Sequence, residues 1–262
     1  MQAVEGSGNR ASRERRIRLL QLVRENGELE VTAVDSLLDV SLETIRRDLR
    51  ALEAQGLIRR SYGRVFAVES GVFETSLAAR TTINPEEKGR IASAVVGRLG
   101  EAQTIFIDEG FQTQLIAQRL PDDRRLTIVT ASLPIATMLA PRLNMQVVLL
   151  GGRVRGNTLG VVDIAAVDAL RRLNLDLALV GANGVSVERG MTTPDPAVAA
   201  VKEAAVQSAS RRIFVGAHHK FGTTTFVSFA ALTDFELIIT GQELGVTLAN
   251  RFVSVGANLL RV

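Results

Sequence analysis

Three arginines and a threonine share one side of a short predicted helix. Residues 41–56 begin with Ser41, a good helix cap, and end with a glycine, which terminates helices. The apolar residues fall on one stripe, at spacings of three and four, and are Leu42, Ile45, Leu49 and Leu52. The opposite side carries Thr44, Arg46, Arg47 and Arg50. Guanidinium groups donate to base edges and phosphates, so the pattern predicts a helix that enters the DNA major groove; a solvated surface helix is the alternative.

A basic segment follows that helix directly. It carries Arg59, Arg60 and Arg64 around Tyr62 and Gly63, a pair typical of a turn. Two short basic strands joined by a turn form the wing of a winged helix-turn-helix. We expect its arginines to hold the DNA backbone beside the groove.

Two further helical patterns precede these elements. Ser12 begins a helical run that ends at Asn26. Thr32 and Asp35 resemble a capping box that opens a short helix, and a brief turn then leads to the arginine-bearing helix. Three helices, the last two joined by a tight turn, together with the wing predict a winged helix-turn-helix DNA-binding domain over residues 12–66.

The composition limits the chemistry that this chain performs. Its 262 residues are enough for two domains, and its formal net charge is +3. It has no cysteine, which excludes disulfides, thiol nucleophiles and cysteine zinc sites. Residues 1–11 are polar, lack the apolar core of a signal peptide and are predicted to be a disordered tail. No apolar run is long enough for a membrane span, so we expect a cytoplasmic protein with no membrane partner.

The hydrophobic pattern changes after residues 67–85, which are predicted to be a linker. Apolar runs of strand length then alternate with helical patterns through residues 86–262. The predicted strands are residues 104–108, 126–130, 145–150, 175–180, 212–216, 237–240 and 251–255. Near-continuous apolar strands separated by helices predict an α/β domain with a mostly parallel sheet covered on both faces.

Glycine-containing polar loops follow several of these strands. They are residues 108–113, 130–132, 151–153, 181–184 and 218–222. Ligands of parallel sheets bind where the strands end, and glycines there free backbone N–H groups to face an anion. Together the loops predict a pocket for a phosphorylated small molecule. Turn geometry alone also explains each glycine taken singly.

Lysine is rare in this arginine-rich chain, which draws attention to Lys88, Lys202 and Lys220. A compact lysine charge suits a phosphate or a sugar oxygen, and Lys220 lies in one of the pocket loops; chance retention is the alternative. The only two histidines, His218 and His219, are adjacent. Adjacent residues seldom bind one metal ion, so we predict no metal site and no cofactor, and we expect one imidazole ring near the pocket.

These motifs resemble the DeoR family of bacterial transcriptional repressors, from about Ser12 to the C-terminus. Residues 40–56 match the helix signature of the family, and its sensor signatures are echoed at residues 87–88, 150–155, 181–184, 192–193, 200–202 and 220–222. The resemblance implies a sugar-phosphate-sensing α/β domain of the ribose-5-phosphate isomerase type, a homodimer or homotetramer, and effector binding that weakens operator binding. The effector-binding residues that it implies are Asp108, Glu109, Gly110, Thr113, Ser132, Gly152, Arg155, Asn183, Lys202, His219 and Lys220.

The first pocket loop departs from the family pattern. The family usually has Asp-Ser-Gly-Thr-Thr, whereas this chain has Glu109 and Phe111 between Asp108 and Thr113. A carboxylate close to a phosphate costs Coulomb energy unless a cation or a proton intervenes. The departure therefore predicts an effector that is less anionic, or bulkier, than a simple phosphosugar.

Three functions are compatible with these patterns. The first is a repressor of a carbohydrate-metabolism operon that binds double-stranded operator DNA under the control of a phosphorylated sugar or related metabolite. The second is a sugar-phosphate isomerase or hydrolase with an accessory DNA-binding module, in which Asp108, Glu109 and His219 serve as acid and base. No motif of a nucleophile with an oriented base supports this enzyme. The third is a constitutive DNA-binding protein whose α/β domain only oligomerises.

Overall fold

The computed structural model describes residues 3–34, 38, 40–61, 63–68 and 73–262. The chain forms two compact units, Met1–Glu69 with Ala78–Ile83 and Ser70–Leu77 with Asn84–Val262. The predicted linker, residues 67–85, is therefore divided between them. Among the described residues, no helix has the length and apolar character that a membrane crossing needs.

The first unit combines helices with a three-stranded antiparallel sheet. Its elements are α1 (Ala3–Asn26), β1 (Glu28–Glu30), α2 (Leu42–Ala54), β2 (Ile58–Ser61) and β3 (Arg64–Ala67). The strands lie in the order β1-β3-β2, and β2 and β3 form the predicted wing. Leu19 and Val23 of α1 share a buried cluster with Ile45 and Leu49 of α2. The apolar stripe of the arginine-bearing helix therefore faces the core, which leaves its basic side outward.

The ends of α2 agree with the sequence prediction. The Ser41 hydroxyl accepts a hydrogen bond from the Thr44 N–H at 3.4 Å. After the last turn, Gly56 adopts a φ of 68° and donates its N–H to the Glu53 carbonyl at 2.9 Å. A residue without Cβ adopts this left-handed conformation at little cost, so Gly56 ends the helix.

The N-terminal predictions differ from the structure in one place and fall outside the described residues in others. α1 begins at Ala3, whereas the sequence predicts a disordered tail over residues 1–11 and a helix start at Ser12. Extending an existing helix costs less than starting one, so the helix continues beyond its apolar part. Asp35 of the predicted capping box and Tyr62 of the wing lie outside the described residues.

The second unit is an α/β domain. Its strands are β4 (Thr104–Ile107), β5 (Leu126–Thr130), β6 (Met145–Leu149), β7 (Arg153–Val154), β8 (Val161–Val162), β9 (Leu175–Val180), β10 (Gly184–Ser186), β11 (Gly190–Thr193), β12 (Ala209–Val215), β13 (Val227–Ala230), β14 (Leu237–Thr240) and β15 (Leu259–Arg261). Its helices are α3 (Leu77–Thr82), which the unit boundary crosses, α4 (Pro85–Val96), α5 (Phe111–Gln118), α6 (Leu133–Leu139), α7 (Ile164–Leu170), α8 (Pro196–Gln207) and α9 (Val246–Ser254). Short 3-10 turns cover His218–Lys220 and Leu232–Asp234.

The main sheet confirms the predicted parallel architecture. Its seven strands lie in the order β15-β14-β12-β9-β4-β5-β6, and each adjacent pair is parallel. In β4, Ile105 and Ile107 belong to one buried cluster and Phe106 belongs to another; in β12, Ile213 and Phe214 divide in the same way. Both faces of the sheet are therefore buried, which explains the near-continuous apolar runs.

The sequence predicts a strand over residues 251–255, and that prediction is wrong. These residues fall in and just after α9, and the last strand of the sheet is β15. Ala249 and Phe252 are the buried residues of α9, three positions apart, which is helical spacing. Five residues, of which three are apolar, are too few to distinguish the two periods, and packing of Ala249 and Phe252 decides for the helix. The β7-β8 hairpin and the antiparallel β10-β11-β13 sheet were also not predicted.

Candidate functional site

The predicted DNA-reading residues lie on the outer side of α2. Arg46, Arg47 and Arg50 are exposed, and none of them forms an ion pair with a residue that the structure describes. Thr44 is half-buried, and its hydroxyl lies 3.1 Å from that of Ser41, so these two residues chiefly cap the helix. The three guanidinium groups are therefore the part of this surface that is available to an anionic partner.

The wing arginines have partners within their own unit. Arg60 Nε donates to Glu53 Oε2 at 2.8 Å, and Arg64 Nη1 lies 3.1 Å from Glu28 Oε1. Burial lowers the pKa of Arg59, which is half-buried, although the Glu53 carboxylate opposes this effect. DNA phosphates would compete with these carboxylates, so the wing is a weaker candidate for phosphate contact than the exposed face of α2.

The sequence reasoning missed a buried ion pair behind the recognition helix. Asp48 lies on the inner side of α2, and its Oδ2 accepts a hydrogen bond from Arg15 Nε of α1 at 2.5 Å. The Asp48 side chain is 4% exposed. An acidic residue within the apolar stripe, between Ile45 and Leu49, was the available signal, because a carboxylate is rarely buried without a cation.

The second unit brings two predicted effector residues, Asp108 and Lys202, together with Gly181 at the end of β4. Asp108 is 1% exposed, and its Oδ2 accepts hydrogen bonds from Gly181 N–H at 2.9 Å and from Lys202 Nζ. The Lys202 ammonium also lies 5.9 Å from the centre of the Phe229 ring. Asp108 Oδ1 is buried and accepts no hydrogen bond from any described residue. Among the described residues that oxygen is therefore an acceptor without a donor, as a ligand hydroxyl requires.

Arg155 is the centre of a second polar group, and all of its side-chain nitrogens are engaged. Nη2 pairs with Glu74, Nε lies 3.2 Å from Asp195 Oδ2, and Nη1 donates to Glu109 Oε1 at 3.5 Å and to the Thr158 hydroxyl at 3.1 Å. The Arg155 side chain is 8% exposed. Burial lowers the pKa of Arg155, but the three carboxylates outweigh that effect and raise it. The guanidinium is therefore a permanent buried cation.

Asn183 and Glu74 extend this group. Asn157 Nδ2 donates to Glu74 Oε2 at 3.0 Å, and Asn183 Nδ2 donates to Glu74 Oε1 at 3.5 Å. The Thr193 hydroxyl donates to Asn183 Oδ1 at 2.9 Å, which fixes the orientation of the amide. The predicted residues Asn183, Arg155 and Glu109 are thus brought together. Glu74 was missed, because an isolated glutamate in a predicted linker gives no sequence signal.

Other predicted effector residues have contacts that serve their own loops. The Thr113 hydroxyl donates to the Gly110 carbonyl at 2.8 Å, and Ser132 caps α6 by accepting from the Ile135 N–H at 3.4 Å. Gly152 is exposed and has a φ of 142°, and a Cβ there would lie 2.1 Å from the Val162 carbonyl oxygen. Backbone geometry therefore explains why this position is glycine.

The two histidines have separate partners. His218 Nδ1 lies 2.8 Å from Glu87 Oε2, while His219 Nδ1 lies 3.0 Å from Asn84 Nδ2. Ligand atoms of His218, Glu87 and Glu243 lie within 4.8 Å of one another. These residues offer an imidazole and two carboxylates to a metal ion. The sequence reasoning missed this combination because it considered only the two histidines. Glu87 Oε1 also accepts from the His218 and Gly241 N–H groups, at 2.6 and 3.2 Å, so hydrogen bonding already accounts for its position.

Lys220 and Lys88 lie near this group. Lys220 ends the 3-10 turn His218–Lys220, and its N–H donates to the Ala217 carbonyl at 3.0 Å. The Lys88 ammonium lies 5.4 Å from the centre of the Phe111 ring. Phe111, which departs from the family pattern in the first pocket loop, therefore contacts a buried cation.

Comparisons with known proteins agree with both units. The model of the DeoR-like helix-turn-helix domain matches residues 15–71, and that of the DeoR C terminal sensor domain matches residues 83–242. The chain is 35% identical to the HTH-type transcriptional regulator GlpR of Haloferax volcanii, over 94% of this chain and 96% of that protein. It is 28% identical to the glycerol-3-phosphate regulon repressor of Escherichia coli, over 85% of this chain and 88% of that protein.

One solved structure is similar to part of this chain. Ribose 5-phosphate isomerase A from Neisseria gonorrhoeae is similar at 16% identity, with a TM-score of 0.41, over 54% of this chain and 56% of that chain. A similarity of this size carries no functional argument. The two family models and the related regulators show the family. This chain belongs to the DeoR family of DNA-binding transcriptional regulators, with a helix-turn-helix domain followed by a sensor domain.

Proposed function

We propose that this protein represses an operon of carbohydrate metabolism and that a phosphorylated sugar or polyol, bound in the second unit, weakens its operator binding. The observation that carries the proposal is a hydrogen-bond acceptor and a cation that lie side by side at the end of β4. Asp108 Oδ1 is a buried acceptor without a donor among the described residues, as a ligand hydroxyl requires, and the buried Lys202 beside it is a cation. The name of the Escherichia coli relative, a glycerol-3-phosphate regulon repressor, supports a ligand of this class.

The position of Glu109 bears on the charge of the effector. In the first pocket loop, the Glu109 carboxylate would repel the phosphate of an effector unless a cation lies near it. Glu109 Oε1 lies 3.5 Å from Arg155 Nη1, so a cation lies beside this carboxylate, and it is shared with Glu74 and Asp195. The proposal therefore includes ordinary phosphosugars and polyol phosphates as well as less anionic ligands.

Catalysis receives no support from the partners of its candidate residues. Asp108 is paired with Lys202, and His219 is hydrogen-bonded to Asn84. Neither contact places an acid and a base on opposite sides of a substrate. The relatives described above are likewise named as regulators.

We also propose that the chain acts as a homodimer or homotetramer through the edge strand β6. Val148 and Leu149 on this strand are partly exposed, and Leu143 just before it is fully exposed. A bare apolar sheet edge favours pairing with a second copy. Light scattering after gel filtration should give a mass that falls when Leu149→Arg is introduced; a monomeric wild-type protein overturns this assignment.

Fluorescence anisotropy with the native promoter region tests the regulatory proposal. Wild-type protein should bind the promoter more tightly than random DNA, and glycerol 3-phosphate or a phosphosugar from a panel should weaken that binding. Arg47→Ala should reduce promoter affinity, whereas Arg172→Ala, an exposed arginine of the second unit, should leave it unchanged. Equal binding to promoter and random DNA, with no response to any compound, contradicts the proposal.

A further inference from the structure

We propose that the Glu74 carboxylate occupies the anion site around Arg155 when no effector is bound, and that an anionic effector acts by displacing it. The inference rests on the proposed function and adds to it a regulatory contact of the chain with its own sensor site.

Each side-chain nitrogen of Arg155 already contacts an acceptor of the chain. Its Nη2 serves Glu74, its Nη1 serves Glu109 and Thr158, and its Nε serves Asp195. A phosphate that approaches this guanidinium therefore meets three carboxylates, and it can take over a contact of Arg155 with one of them only by replacing that carboxylate. Carboxylate oxygens of Glu74, Glu109 and Asp195 thus occupy positions around the guanidinium in which phosphate oxygens also bind.

Charge favours exchange over addition. Three carboxylates surround one guanidinium in a buried group, so negative charge is already in excess there. Adding a phosphate would increase the repulsion in a medium of low dielectric. Replacing one carboxylate by the phosphate removes one negative charge as the ligand enters, and the Asn157 and Asn183 amides that bind Glu74 remain as donors for the ligand.

Of the three carboxylates, Glu74 is the one that neither caps a helix nor directly follows a strand of the main sheet. Asp195 caps α8 by accepting from the Ala197 N–H at 2.8 Å, so its place is set by that helix. Glu109 follows Asp108 at the end of β4, and its carboxylate packs against Gly160, where a Cβ would lie 2.0 Å from Oε2. Glu74 instead belongs to a segment without regular structure, residues 74–76, and its contacts with Arg155 and the two asparagines hold it.

Displacement of Glu74 would release the segment that leads out of the sensor unit. Leu77 N–H donates to the Asn157 carbonyl at 2.9 Å, next to the side chain that binds Glu74, and Thr75 is buried. The unit boundary falls directly after Leu77, within α3. Loss of the carboxylate anchor therefore loosens the chain at the point where it joins the residues grouped with the DNA-binding unit, through covalent connection alone.

Calorimetric titration of the full-length chain with inorganic phosphate and with glycerol 3-phosphate tests this inference. A site that is occupied by its own carboxylate binds ligand with an apparent affinity reduced by the blocked fraction. Glu74→Gln, which removes the charge and keeps the shape, should tighten binding by about tenfold. Glu86→Gln changes an exposed glutamate of the same unit and should leave the Kd unchanged.

Hydrogen exchange of the wild-type chain provides a test that needs no variant. Saturating glycerol 3-phosphate should speed exchange of the amides at residues 73–77, including that of Leu77. Equal Kd values for wild type and Glu74→Gln, or unchanged or slower exchange of this segment in the bound protein, overturn the inference and leave the proposed function standing. Failure of both proteins to bind either probe overturns the inference together with the proposed phosphate-bearing effector.

Discussion

Asp48 and Arg15 form a buried ion pair that joins the recognition helix α2 to α1, with Oδ2 and Nε 2.5 Å apart. Asp48 is buried whereas Arg46 and Arg47 are exposed, so the pair orients the DNA-reading face without belonging to it. Apolar packing of Ile45 and Leu49 sets how deeply the helix is buried, and the ion pair fixes its rotation because a guanidinium demands a defined direction.

We predict that Asp48→Asn lowers the local opening free energy of α2 by about 1 to 3 kcal/mol, because it leaves the Arg15 charge without its counter-ion. The measurement is hydrogen exchange of the α2 amides in the full-length chain, since two units need not unfold together. Glu43→Gln, an exposed acid in the first turn of α2, is the control and should change exchange by only a few tenths of a kcal/mol. Equal exchange in both variants would show that the ion pair does not hold the helix.

The arginines of α2 and of the wing should differ in their effect on DNA binding. Arg47→Ala removes an exposed guanidinium and should cost about 1 to 3 kcal/mol of promoter affinity if it contacts a base. Arg60→Ala should cost less, about 1 kcal/mol or below, because Arg60 is already bound to Glu53. Anisotropy titrations over a range of salt concentrations distinguish the roles, since loss of a phosphate contact reduces the salt slope by about one. A larger loss for Arg60→Ala would mean that DNA displaces Glu53.

Much of the fold was accessible from the sequence because its signals are local. Helical spacing and caps predicted α2, and apolar runs predicted the strands β4, β5, β6, β9, β12 and β14. Phe252 shows the limit: its short apolar run fits either period, and packing decided for helix. The candidate site divides in the same way. Asp108 follows from its position at a strand end, and Lys202 follows from the rarity of lysine and the family resemblance. The partnership of Glu74 with Arg155, 81 positions apart, is a tertiary contact that no local pattern encodes.

The Lys202–Asp108 pair should behave as a coupled unit. Both side chains are almost fully buried, at 5% and 1% exposure. Removing one partner leaves the other charge buried without a counter-ion. Lys202→Met and Asp108→Asn should therefore each destabilise the second unit by about 3 to 5 kcal/mol. The double variant should lose less than the two single losses added together, and urea unfolding of all four proteins measures the difference. Simple additivity would contradict direct coupling.

Asp176 provides a pH test of the sheet. Its Oδ2 accepts hydrogen bonds from the Gln103 and Thr104 N–H groups, both at 2.8 Å, and the backbone of Thr104, followed by that of Gln103, lowers the pKa of Asp176 below its usual 3.8. A lowered folded-state pKa gives stability that is complete above the unfolded pKa and is lost as the pH falls through the folded one. Asp176→Asn should therefore be less stable than wild type at neutral pH, and the difference should shrink below pH 3.8. Thermal unfolding from pH 7 downward measures it, with the exposed Asp123→Asn as a control that shows no such trend.

Gly152 distinguishes a structural glycine from one that contacts the effector. Its φ of 142° and the 2.1 Å separation between a built Cβ and the Val162 carbonyl oxygen mean that Gly152→Ala must move the β7-β8 hairpin. We expect a loss of about 1 to 3 kcal/mol in the stability of the second unit, by chemical denaturation of the full-length chain. The neighbouring Gly151 has no heavy atom within 4 Å of its built Cβ, so Gly151→Ala should stay within about 0.5 kcal/mol of wild type. If Gly152→Ala is as stable as Gly151→Ala yet binds glycerol 3-phosphate more weakly, Gly152 is an effector contact and the structural explanation fails.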